Sequence, residues 1–113
     1  MILRSDTIGK IESPSDKDID KALYHNGKRP QNNDIVKIEK PNGDYLSAWY
    51  FEDYDRFDLT HRQDGVQKKS SSKLTIQEVS RYLKQYNNND LSFVNDLSWE
   101  KTACQILLEN LKV

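Results

Sequence analysis

Glu52, Asp53, Asp55 and Asp58 put four carboxylates into seven residues, inside the stretch YLSAWYFEDYDRFDLTHR that spans 45 to 62. Carboxylates this close can hold a divalent cation, and with His61 nearby they could also serve acid–base chemistry. Neither chemistry finds its full set of groups. The acids do not follow the DxDxDG spacing of a calcium loop, so no metal is expected. His61 keeps step with Phe57 and Leu59 on a strand, which reads as a hydrogen-bonded structural imidazole near the inner face. His25 precedes Asn26-Gly27, where a cation complements the dipole at a helix C-terminus. Cys104 is the single cysteine, which excludes an internal disulfide and a cysteine zinc cluster, and it reads as a small core residue of the last helix. With only four glycines there is no Gly-rich phosphate loop. Lys68, Lys69 and Lys73 form a short basic strip without interleaved aromatics, so direct nucleic-acid binding is not expected. The residues point away from an enzyme, and no cofactor is implied.

The elements that must position these groups are legible in outline. Residues 2 to 12 carry weak strand character. Ser15 followed by Asp18 opens a helix whose apolar stripe is Ile19, Ala22 and Leu23, ended by Asn26-Gly27. DIVKIEK, YLSAWYFE and RFDLTHR read as strands, and VQKKSSS as a polar edge strand whose lysines discourage further pairing. Thr75 to Glu78 is a capping box for a helix with Ile76, Val79, Tyr82, Leu83 and Tyr86 at helical spacing, stopped by NNND. A final segment from about Trp99 carries Ala103, Ile106, Leu107 and Leu111 as another helical stripe. The predicted class is α+β: an antiparallel β-meander of about four to five strands with helices packed on one face. With 113 residues, the chain suits a single domain spanning 1–113.

Register decides which side chains face out. A two-residue type I′ turn at Asn42-Gly43 would set Ile38 opposite Ser47 and Val36 opposite Trp49. An odd corner of Asp53-Tyr54-Asp55 would then set Phe51 opposite Phe57. The core face becomes Val36, Ile38, Trp49, Phe51, Phe57 and Leu59. The outer face becomes Ile35, Leu46, Ala48, Tyr50, Asp58, Thr60 and Arg62, with Glu52, Asp53, Tyr54 and Asp55 at its end. An even corner would reverse the middle strand. The odd version places an aromatic and aliphatic patch inside a carboxylate rim, a composition suited to protein binding.

The charge distribution agrees. The net charge is -1, yet residues 34 to 65 hold eight acids against four bases, while the rest of the chain has a basic excess. The opening residues MILRSDTIGKIE lack a continuous apolar run, and no stretch is long enough to span a membrane, so a cytoplasmic protein without membrane contact is expected.

Together SPSDKDIDKAL, GDYLSAWYFEDYDRFDLTHR, SKLTIQEVSRYLKQYNNND and LSFVNDLSWEK resemble the small immunity proteins of bacterial polymorphic-toxin and contact-dependent growth-inhibition systems. The resemblance covers roughly residues 12 to 101. Phe93 departs from it, standing where the pattern more often has tryptophan, as does the apolar tail after Trp99. It implies a cytoplasmic monomer that binds the C-terminal toxin domain of a neighbouring effector one to one. Such toxins are often nucleases, many acting on transfer RNA, with cationic active sites that an acidic surface would occlude. On that reading Tyr50 and Tyr54 anchor the partner, and Glu52, Asp53, Asp55 and Asp58 meet its lysines and arginines. A secretion chaperone, usually dimeric, is an alternative from the binding class, and a small hydrolase using His61 is one from the enzyme class.

Overall fold

A computed structural model of the chain describes residues 1–24 and 34–111. His25 and Asn26-Gly27 lie outside them. The described elements are β1 (Ile2–Ser5), β2 (Gly9–Glu12), α1 (Asp16–Leu23), β3 (Ile35–Glu39), β4 (Tyr45–Phe51), β5 (Arg56–Gln63), β6 (Val66–Ser70), α2 (Ile76–Asn87), α3 (Phe93–Asp96), β7 (Trp99–Lys101) and α4 (Ala103–Leu111). The strands form one seven-stranded sheet in the order β2-β1-β3-β4-β5-β6-β7. Every neighbouring pair is antiparallel, so the class is α+β as expected, with more strands than the four or five anticipated.

The two main helices begin where their caps dictate. The Ser15 and Thr75 hydroxyls accept from the backbone N–H groups of Asp18 and Glu78. In return, those carboxylates accept from Ser15 N at 2.8 Å and from Thr75 N at 3.0 Å, completing two capping boxes. Asn89, at φ 61°, ends α2 in the left-handed region that asparagine tolerates. The helices pack on each other and on one face of the sheet. Ile19, Ala22 and Leu23 of α1 and Val79, Tyr82, Leu83 and Tyr86 of α2 meet Leu3, Val36, Ile38, Leu46, Ala48, Tyr50, Phe57 and Leu59 in one buried cluster. Asp20 of α1 accepts from Ser80 Oγ at 3.0 Å and pairs with Lys84 Nζ at 2.8 Å, which fixes the helix pair in register.

The β3–β4 hairpin corrects the expected register. Lys40 and Asp44 close the loop through Lys40 N donating to Asp44 O at 2.8 Å, so the loop has three residues, Pro41-Asn42-Gly43. Gly43 N donates to Lys40 O at 3.0 Å, placing Pro41 and Asn42 at the centre of a type I-like turn. Gly43 follows at φ 91°, the left-handed step that completes the three-residue hairpin. Proline is favoured at that first central position, whereas flanking a two-residue Asn42-Gly43 turn it would lack the N–H that closes the hairpin onto Asp44. Ile35 therefore pairs with Trp49, Val36 with Ala48 and Ile38 with Leu46. A slip of one residue turns a whole strand over, and the core side of β4 is Leu46, Ala48 and Tyr50.

The corner between β4 and β5 is even-numbered and agrees. Glu52–Tyr54 make a 3-10 turn, Asp55 takes φ 48°, and Tyr50 pairs with Phe57. The expected inward Trp49 and Phe51 are replaced by Tyr50, which is 3% exposed, while Trp49 is 45% exposed. Only β4 is reversed. Val36, Ile38, Phe57 and Leu59 point inward as expected, and Ile35, Asp58, Thr60 and Arg62 do not belong to the buried cluster.

The C-terminal part also departs from expectation. β6 is not an edge strand, because β7 pairs outside it with Lys69 opposite Glu100 and Ser70 opposite Trp99. Beyond β7, α4 runs along β6 and presents polar groups to it. Gln105 Oε1 accepts from Gln67 N at 3.1 Å, and Thr102 Oγ1 donates to Gln67 Oε1 at 2.8 Å. β7 covers β6 only from Lys68 to Ser70, and the Gln67 backbone N–H before it is met by the Gln105 side chain instead. Gln105 is accordingly the buried residue of α4, whereas Ile106, Leu107, Leu108 and Leu111 are exposed. Cys104 is exposed as well, and the expectation of a core cysteine is overturned.

These burial assignments set an expected contrast in urea unfolding. Tyr50→Ala removes a large side chain from the core and should cost about 3–5 kcal/mol. Trp49→Ala removes an exposed one and should cost about 1 kcal/mol or less. Equal losses would contradict the register.

Candidate functional site

The reversal of β4 moves a different set of aromatic residues to the outer face. Trp49 and Phe51 stack there with ring centroids 5.9 Å apart and planes at 15°. Ile35 lies beside Trp49 through the strand pairing and is 37% exposed. Tyr54, in the 3-10 turn, is 64% exposed. Lys73 places its ammonium 4.4 Å from the Phe51 ring centre and 5.8 Å from that of Tyr54. The same ammonium pairs with Asp58 at 2.8 Å. The result is an aromatic strip with one cation tied down beside it.

The six residues expected to form the contact surface divide into two groups. Glu52, Asp53 and Tyr54 stand exposed together in the 3-10 turn. Tyr50 lies beneath it in the core, its ring 5.0 Å from that of Phe57, so its expected place on the outer face is corrected. Its hydroxyl donates to Asp55 Oδ1 at 2.8 Å. Asp55 adopts the left-handed conformation and donates its N–H to Glu52 O at 3.1 Å. Tyr50 and Asp55 thus staple the corner from below, and the corner carries the exposed acids. Asp58 lies on the outer face, where its carboxylate is engaged by Lys73.

Sequence reasoning did not place Trp49 and Phe51 in this site. The available signal was Pro41. A proline ahead of Asn-Gly favours the longer loop and brings Trp49 outward, next to the acids.

The inner face carries a second feature. His61 is 9% exposed and packs edge-on against Tyr86 and Phe93, at centroid distances of 5.8 and 5.3 Å, with Trp99 at 5.9 Å. Its expected hydrogen bond is replaced by this aromatic packing: among the described residues neither imidazole nitrogen has a hydrogen-bond partner. Burial lowers its pKa, opposed by Asp44, with Lys40 adding to the lowering. Beside it, the buried Tyr86 hydroxyl also lacks a partner among the described residues, and burial pushes its pKa up to about 12. A cavity of about 350 Å³ opens next to His61, walled by Val94 and Trp99, with Gln63, Asp64, Val66 and Lys68 around it.

Among the described residues no group of three or more His, Cys, Asp or Glu is arranged to hold a metal ion. No described helix is long and apolar enough to cross a membrane.

The His61 environment has a pH consequence. A histidine whose folded pKa lies below its ordinary 6.5 binds its proton more readily in the unfolded chain. Its contribution to stability is therefore complete above about pH 6.5 and falls as the pH drops toward the lowered value. Urea unfolding across pH 7 to 5 should show stability declining in the natural protein and declining less in His61→Phe. Parallel profiles for the two proteins would contradict the assignment.

No protein-family model, no curated protein and no solved structure matches this chain.

Proposed function

We propose that this protein is a cytoplasmic immunity protein: it binds the toxin domain of a neighbouring effector and blocks a cationic active site, without catalysis of its own. The observation that carries this reading is the outer face of β4 and its corner, where Ile35, Trp49 and Tyr54 are exposed beside Glu52 and Asp53. Aromatic anchors with a charged margin are the usual composition of a protein-binding surface. The carboxylates would accelerate capture of a positively charged partner by long-range attraction and then stand where phosphates otherwise bind. The resemblance of residues 12 to 101 to immunity proteins names the partner class: a toxin domain, which in that family is often a nuclease acting on transfer RNA. The revised contact set is Trp49, Phe51, Glu52, Asp53 and Tyr54, with Tyr50 and Asp55 supporting it from within.

The test is co-expression with a candidate toxin domain taken from the gene immediately upstream, together with binding measurements on purified proteins. Trp49→Ala should weaken binding by about 10-fold or more, as anchor residues do. Glu52→Lys combined with Asp53→Lys should slow association and reduce protection, with the larger effect at low salt. Circular dichroism should show both variants folded. Full protection by both variants would overturn this placement of the surface.

One observation favours a second reading, a dimeric secretion chaperone. Ile106, Leu107, Leu108 and Leu111 give α4 an apolar outward side, which a second copy could cover. Light scattering decides between them: a monomer of 13.2 kDa supports the immunity reading, and a stable dimer supports the chaperone.

A further inference from the structure

The cavity beside His61 lies against the helix-covered side of the sheet, apart from the aromatic strip, and its lining has a consistent chemistry. It is lined by the buried His61 imidazole, which has no protein hydrogen-bond partner among the described residues, and by the half-buried Trp99 and Val94. The indole N–H of Trp99 is already spent on Val94 O at 3.0 Å, so Trp99 offers the cavity its ring. At the mouth stand exposed Lys68 and Asp64. Lys68 has no ion-pair partner among the described residues, whereas Lys101, paired with it across the strands, is engaged by Glu109 at 2.6 Å.

Each of these groups asks for a particular complement. A neutral imidazole carries one donor and one acceptor, and neither is taken by a described protein group, so both are open to a ligand entering the cavity. A hydroxyl or ring N–H of a ligand would meet one of them. The flat apolar walls suit an aromatic ring. The lysine at the mouth suits a single negative charge, and Asp64 on the same rim disfavours a second one. A volume of about 350 Å³ is near the lower end for small-molecule sites and accommodates one or two rings.

We propose that this cavity is a binding site for a small aromatic carboxylate bearing a hydrogen-bonding group on its ring, with the ring group at His61, the ring between Trp99 and Val94, and the carboxylate at Lys68. The site is separate from the outer face and does not depend on the proposed toxin partner.

The probe is 4-hydroxyphenylacetate, titrated into the isotope-labelled protein while the Trp99 indole resonance is followed. Phenylacetate, which lacks the hydroxyl, and 4-hydroxyphenylacetamide, which lacks the charge, serve as comparators. The acid should shift the Trp99 signal and saturate with a Kd on the order of a millimolar, as expected for a ligand of this size. Removing the hydroxyl should weaken binding by about 5-fold, the loss of one hydrogen bond. Removing the charge should weaken it by about 3-fold, as for a partly exposed ion pair. Lys68→Ala lies at the exposed mouth and should bring the acid down to the level of the amide. Absence of any Trp99 shift at 10-fold above that expected Kd, about 10 mM, would overturn the proposal. Equal binding of all three compounds would overturn it as well.

Discussion

The three-residue turn at Pro41-Asn42-Gly43 is the constraint on which the rest of this molecule depends. Alternate side chains of a strand point to opposite faces, so one residue more or less in that loop exchanges the two faces of β4. With Gly43 at φ 91°, Leu46, Ala48 and Tyr50 pack beneath α1 and α2 while Trp49 and Phe51 face out. The corner to β5 has the matching parity, and Tyr50 meets Phe57 in the core. Turn and corner reinforce one another, so β4 is held in one register from both ends.

The same reversal couples core to surface. Tyr50 is an interior side chain whose hydroxyl reaches the rim, where it bonds Asp55 at the left-handed step of the acidic corner. Packing beneath the sheet is thereby converted into the conformation of a surface turn. Glu52, Asp53 and Tyr54 are displayed by a short 3-10 turn that would have little stability in isolation. Lys73, beside Phe51 and Tyr54 and paired with Asp58, closes the other side of the strip.

The C-terminal end of the sheet follows a different logic. β7 is a three-residue strand, and the Thr102 hydroxyl and the Gln105 amide of α4 both bond Gln67 of β6. Gln105 is the side of α4 turned to β6, where it accepts from Gln67 N, and the leucines of α4 lie on its exposed side. This end also frames the His61 cavity through Trp99. The molecule therefore carries two chemically distinct surfaces: an acidic aromatic strip on the outer face and an aromatic cavity on the helix side.

Local chemistry determined much of this protein directly. The caps at Ser15 and Thr75, the stripes of α1 and α2, the strand identities of β3 to β5 and the outward acids at 52 and 53 were all legible, because each depends on groups within a few residues of one another. The addition of β7 and the orientation of α4 were decided only by tertiary structure, and the facing of β4, for which Pro41 was the one local signal, was settled there too. The parity of β4 turns on a single loop residue, and both hairpin forms use Asn-Gly. β7 is too short to carry a periodic signal and exists through pairing with β6. The apolar stripe of α4 reads in sequence as a core face, but in the fold it is Gln105 that turns to β6 and is buried, while the leucines stay exposed.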